Sequence, residues 1–168
     1  DVNRAGALIH AAILGARPDI NYSAHTHTRA GAAVSGMKCG LLPISQHAGM
    51  VLPTVCTHPY QDVTSAEDEC EALARDIGQN FAMIMENHGL LTCGRSVREC
   101  FYYLYYLETA CKIQVDVMSS GQDPILLSDK IINGLYFRDG VPEKEPYGVE
   151  DWYPQVRWLD KNLPGFRD

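Results

Sequence analysis

Apolar residues along the chain fall into short runs divided by glycine, proline and polar clusters, and the spacing within each run predicts an element. Asp1 to Gly15 (DVNRAGALIHAAILG) is apolar on most sides and closes at Gly15 with Pro18 beyond, as a helix does. Ile20 to Thr26 predicts a short strand. Arg29 to Gly36 predicts a helix of small residues, able to pack closely against another layer. From Gly40 to Val55, two prolines interrupt short apolar stretches, which predicts strands broken by loops.

Ser65 to Gly78 is the cleanest helix. Cys70, Leu73, Ala74 and Ile77 form one stripe, with Ser65 and Asp68 spaced as an acidic capping box. Phe81 to Met85 predicts a buried strand that ends at Asn87-His88-Gly89. Ser96 and Glu99 form a second capping box, opening a helix to about Met118 whose stripe reads Val97, Phe101, Leu104, Glu108, Cys111, Val115, Met118. Beyond Gly121, Pro124, Pro142, Pro146 and Pro154 predict an irregular C-terminal extension over 119–168, relieved by an amphipathic piece from Trp152 to Leu159. Strands alternating with helices make an α/β domain.

Composition narrows the class. The 168 residues suit one domain, 1–168, and 46% hydrophobic against 21% charged residues excludes a disordered chain. No apolar run approaches the length of a membrane span, so no membrane partner is expected. A net charge of −7 without a basic cluster argues against nucleic acid. Six cysteines without a CxxC pair, and with no signal sequence ahead of them, predict buried small hydrophobes in a reducing, cytoplasmic setting. The chain opens at Asp1 almost directly on helical sequence, so an N-terminal part is expected to be missing.

His25 and His27 stand two apart on a predicted strand and share a face, the beginning of a chelate. His88 follows an apolar strand just before Gly89, where strand ends converge in α/β folds. Three neutral imidazoles leaving an open position are a catalytic type of divalent-metal site. His10, inside an apolar helix, and His58, in a proline-rich loop, are not expected to join them.

The stretch HTHTRAGAAVSGMKCGLLPISQ, followed by NHGLLTCGRSVRECFYYLYYLETACKIQ, resembles the class II aldolase/adducin family. The likeness runs from about Ala5 to Gln114, with a weaker echo in GVEDWYPQVRWLDKNLPGFRD. It implies a three-layer αβα sandwich around a central mixed, largely antiparallel sheet, assembled as a homo-oligomer, a tetramer in the family. His25, His27 and His88 are by this resemblance ligands of a divalent metal, zinc in the sugar-phosphate aldolases. The chemistry implied is a lyase step on a small carbonyl or sugar-derived substrate, through a metal-stabilised enolate.

Departures from the family pattern open a second reading. The aldolase general base is a glutamate on the helix before the HxH strand, and that position is Gly6 here. The aldolase phosphate-binding segments lie N-terminal to the given chain. The tyrosine acting as general acid from a neighbouring subunit is met by Gln46-His47. Replacement catalytic groups are Glu86, placed on the face of His88 by strand alternation, His47, and Glu108, a carboxylate interrupting an apolar stripe. Each also has a structural reading: a solvated strand end, an exposed loop histidine and a paired carboxylate. Tyr102, Tyr103, Tyr105 and Tyr106 suggest an oligomer contact. The alternative to the lyase is an interaction and oligomerisation module like the adducin head.

Overall fold

The computed structural model describes residues 4–60, 66–136 and 148–167. In chain order the elements are α1 (Arg4–Ala16), β1 (Tyr22–Thr26), α2 (Arg29–Ser35), α3 (Gln46–Gly49), β2 (Val55–His58), α4 (Ala66–Ile77), β3 (Ala82–Met85), β4 (Gly89–Gly94), α5 (Val97–Ser119), α6 (Asp129–Tyr136) and α7 (Val149–Asn162). The described strands form one sheet in the order β1-β4-β3-β2. β4 runs antiparallel to both neighbours, and β2 runs parallel to β3. This is the mixed, largely antiparallel sheet that the family resemblance implies.

Side-chain alternation divides the two central strands between two cores. Met83, Met85, Leu91 and Cys93 meet Ile9 and Ile13 of α1 and Leu73 and Ile77 of α4. On the other face Ala82, Ile84 and Leu90 meet Val34 of α2, Ala48 of α3, and Tyr103, Leu107 and Cys111 of α5. Helices therefore cover both faces, and β3 and β4 are buried along their whole length. Such two-sided burial is why FAMIM carries no polar alternation.

Three expectations are corrected. Between Gly40 and Val55 there is no strand among the described residues. Ser45 caps α3 by accepting the Ala48 N–H at 3.1 Å, and Leu52–Thr54 forms a 3-10 turn containing Pro53. Short apolar runs with proline suit these turns as well as strands. The stripe on α5 is rotated from the expected one: Cys100, Tyr103, Leu107, Ala110, Cys111 and Gln114 face inward, while Val97 and Met118 are exposed. Gln114 lies fully buried because its amide accepts the Leu42 N–H at 2.7 Å and donates to the Gly40 carbonyl at 2.8 Å. Among the described residues of 119–168, two helices, α6 and α7, stand where irregular chain was expected.

The tyrosines divide as well. Tyr102 and Tyr103 belong to the chain's own core, Tyr103 stacking on Phe81 at 5.2 Å, so neither offers an oligomer surface. Tyr106 donates to Asp151 at 3.1 Å and ties α7 to α5; Tyr105 is exposed. Ser96 caps α5 as expected, but the Glu99 carboxylate, fully buried, accepts the Arg95 backbone N–H at 2.7 Å and pairs with the Arg95 guanidinium at 2.6 Å. Ser65 of the other capping box lies outside the described residues. Burial pushes the thiols of Cys56, Cys93 and Cys111 up to about 12, so they behave as packing groups. Cys39 departs from that pattern and is exposed.

β4 hands over to α5 through a very close backbone approach. A Cβ on Gly94 would lie 2.5 Å from the Cys100 nitrogen and 3.0 Å from the Ser96 oxygen, both main-chain atoms that cannot swing aside. Gly94→Ala is therefore expected to cost about 1–3 kcal/mol, the usual penalty of overpacking. Urea unfolding checks it; a midpoint equal to the parent's contradicts the contact.

Candidate metal centre

Pairing sets the site. β1 lies beside β4 with His25 opposite Leu91 and Thr26 opposite Leu90, so the end of β1 reaches the turn that carries His88. That turn joins β3 to β4 and is closed by the His88 N–H bonding to the Met85 carbonyl at 3.1 Å. A Cβ at Gly89 would collide with the Thr26 carbonyl and lie 3.3 Å from the His27 ring. Only glycine lets the two segments come this close.

The three imidazoles converge as their spacing suggests. Ring centroids are 4.6 Å apart for His25 and His27, 4.8 Å for His25 and His88, and 4.6 Å for His27 and His88. One nitrogen from each ring falls within 4.8 Å of the others, and no other described histidine, cysteine or carboxylate completes such a group. The Nε2 atoms of His25 and His27 are 2.7 Å apart. In a tetrahedral zinc site with bonds of about 2.0–2.1 Å the N···N edge is about 3.3 Å, so small side-chain rotations suffice for chelation.

Tautomer and charge favour the same outcome. His25 Nδ1 lies 2.9 Å from the Leu90 carbonyl, which can only accept, so Nδ1 carries the proton and Nε2 keeps its lone pair. Burial pulls the His25 pKa below the ordinary imidazole value, and His88, His27 and His10 add to that against the opposing Leu90 bond. His88 is lowered too, by burial and then by His27, with Glu69 of α4 opposing. Neutral imidazoles are what a divalent metal requires. The donor set therefore fits a divalent ion.

The remaining histidines and carboxylates have other partners. His10 meets the Ser23 hydroxyl at 2.7 Å on the same face of the sheet, and Gly6 lies one helical turn before it. His58, expected in a loop, ends β2 and is buried with Nδ1 2.8 Å from Asp76 of α4. His47 sits on α3 with its ring 5.7 Å from Tyr106. Glu86 is exposed: β3 stops at Met85 and Asn87 takes a φ of 53°, so strand alternation does not carry through to His88. Glu86 instead lines a cavity of about 390 Å³ with Ser35, Lys38, Thr57 and Asn87. Glu108 accepts the Thr28 hydroxyl at 2.5 Å and meets Lys112 at 3.4 Å.

Sequence reasoning missed three neighbours of the centre. Tyr60 places its ring 6.4 Å from His88, Glu69 acts on the same imidazole, and Thr28 directly follows His27. Of these only Thr28 carried a local signal, as a threonine one residue before a helix.

Comparison with known proteins gives a consistent picture. Residues 1–115 match the model described as the class II aldolase and adducin N-terminal domain. A Caulobacter vibrioides protein provisionally named an aldolase class 2 protein is 35% identical over 99% of this chain, which covers 65% of it. Alpha-adducin of Rattus norvegicus is 46% identical over 99% of this chain, but the match spans 24% of that protein. The crystal structure of an aldolase II superfamily protein from Pseudomonas syringae superposes with a TM-score of 0.88 at 38% identity, covering 99% of this chain and 66% of that one. An L-fuculose 1-phosphate aldolase from Glaciozyma antarctica shares the fold at a TM-score of 0.79 and 24% identity, over 95% of this chain and 59% of that one. The chain thus spans just under two thirds of the bacterial relatives and about a quarter of alpha-adducin.

Proposed function

The chain belongs to the class II aldolase and adducin family, and from that membership we propose that it is the metal-binding part of an aldolase-like lyase. In this reading His25, His27 and His88 hold a divalent ion, zinc first among the choices, and the substrate is a small carbonyl or sugar-derived compound. The observation that carries it is the convergence of three imidazoles, one of them fixed in the metal-binding tautomer by the Leu90 carbonyl. When bound, such an ion polarises a carbonyl oxygen and offsets negative charge developing there. Of the three histidines that would hold the ion, His27 is the exposed one, so the cluster is open to solvent on its side. C–C cleavage or decarboxylation are the reactions that draw on such polarisation.

Proton transfer takes a different route from that of the sugar-phosphate aldolases, because Gly6 has no side chain to accept a proton. Glu108 is engaged by Thr28 and Lys112, and Glu86 faces another cavity, so neither carboxylate takes that role in this reading. The 46% identity to alpha-adducin together with Gly6 supports a second reading, a non-catalytic interaction and oligomerisation module. No described helix is long and apolar enough to cross a membrane.

Elemental analysis after loading with zinc and gel filtration tests the metal. About one ion per chain is expected, with affinity reduced more than about 100-fold in His25→Ala and His88→Ala, beyond the usual effect of removing an outer-shell partner. Stoichiometric, tightly held metal in both variants overturns the ligand assignment. Metal-dependent deuterium exchange at the α-carbon of dihydroxyacetone, followed by proton NMR, separates the two functions. Exchange lost in His27→Ala supports the lyase; a metal-loaded chain with no exchange favours the interaction module.

A further inference from the structure

The Glu108 carboxylate is the feature that neither the ligand set nor the core requires. Its side chain, 15% exposed, reaches from α5 across the α2 layer to accept the hydroxyl proton of Thr28, 80 residues earlier in sequence, at 2.5 Å. Thr28 is the residue after His27. Its backbone is extended, at φ −66° and ψ 152°, and its hydroxyl oxygen also accepts the Gly31 N–H at 3.3 Å to cap α2. One hydroxyl therefore donates to α5 and accepts from α2, which fixes its rotamer in both senses.

The consequence falls on His27. β1 ends at Thr26, so His27 lies outside the strand ladder and is exposed, with no sheet bond of its own to hold its backbone. His25 is oriented by Leu90, and His88 sits in a closed turn. The 27–28 segment is held by the Ala32 N–H bond to the Thr28 carbonyl at 2.8 Å, by the Thr28 side-chain cap of α2 and by the bond to Glu108. An O–H···carboxylate bond is among the stronger neutral–charged contacts, and Lys112 meets the same carboxylate at 3.4 Å.

We propose that Glu108 is a positioning residue for the metal centre, holding Thr28 and through it the backbone of His27 in the geometry that completes the three-imidazole set. The inference rests on the metal reading above. Glu108 touches neither the ion nor a substrate. It is the outer-shell carboxylate for His27, the ligand that lies past the end of β1, and it acts through the backbone instead of the imidazole ring.

Zinc affinity of the full chain, by competition with a chromophoric chelator, tests this in four variants. Glu108→Met removes the acceptor and leaves the α2 cap intact; Thr28→Val removes the hydroxyl altogether. Both are expected to weaken zinc binding about 10–100-fold. Glu108→Gln keeps a carbonyl that can accept, and Thr28→Ser keeps the hydroxyl, so both are expected to stay within about threefold of the parent. The cobalt(II) absorption spectrum should change shape in the first pair only, a signature that loss of stability alone would not produce. Thermal melts with chelator present identify a variant that has not folded, and Glu108→Met stands in if Thr28→Val fails. Parent-like zinc affinity in Glu108→Met overturns the proposal, as does equal loss in Thr28→Ser and Thr28→Val. A parent chain that binds no zinc overturns the metal reading itself and this inference with it.

Discussion

Register between β1 and β4 is the constraint on which this end of the molecule depends. Because His25 lies opposite Leu91, its ring nitrogen can reach the neighbouring Leu90 carbonyl, and because β4 begins at Gly89, His88 lands beside the end of β1. A slip of one residue would turn His25 to the other face of the sheet and break the cluster. The two hydrophobic cores protect that register: Leu91 and Cys93 must face α1 and α4, while Leu90 must face α2 and α5. Burial thus fixes which way β4 faces, and the pairing of β1 with β4 carries that choice to the site.

The same economy of placement explains why both helical layers meet at the histidines. The α1 and α4 layer supplies His10, which acts electrostatically on His25, and Glu69, which acts on His88. The opposite layer supplies Thr28 and Glu108, which hold the chain just beyond β1. Gly89 permits the contact between the two segments, and any side chain there would separate them. The arrangement has two things a ligand set needs: close approach of three imidazoles, and a His25 tautomer set by a main-chain carbonyl.

Much of this was readable from the sequence where the signal is local. The stripe on α4 and the Ser96 cap depend on residues within a few positions, and the structure has both; of the histidine pair His25 lies on β1, while His27 falls one residue past its end. The interval from Gly40 to Val55 was not readable, because short apolar runs with proline are compatible with strand, helix and 3-10 turn alike. The inward face of α5 was obscured by apolar and aromatic residues all round the helix; the buried Gln114, bonded to Leu42 and Gly40, shows which side won. Glu86 was misplaced because the left-handed Asn87 ends strand alternation one step too early. His58 with Asp76, and Thr28 with Glu108, are pairings between distant segments that no local pattern announces.

X-ray absorption at the zinc edge of the metal-loaded chain tests the central claim most directly, because it reports the identity and distance of the donor atoms. Three imidazole nitrogens at about 2.0–2.1 Å, with the remaining shell made of oxygen, is the predicted result. A sulfur shell at about 2.3 Å, or a shell of oxygens alone, would contradict a centre built on His25, His27 and His88.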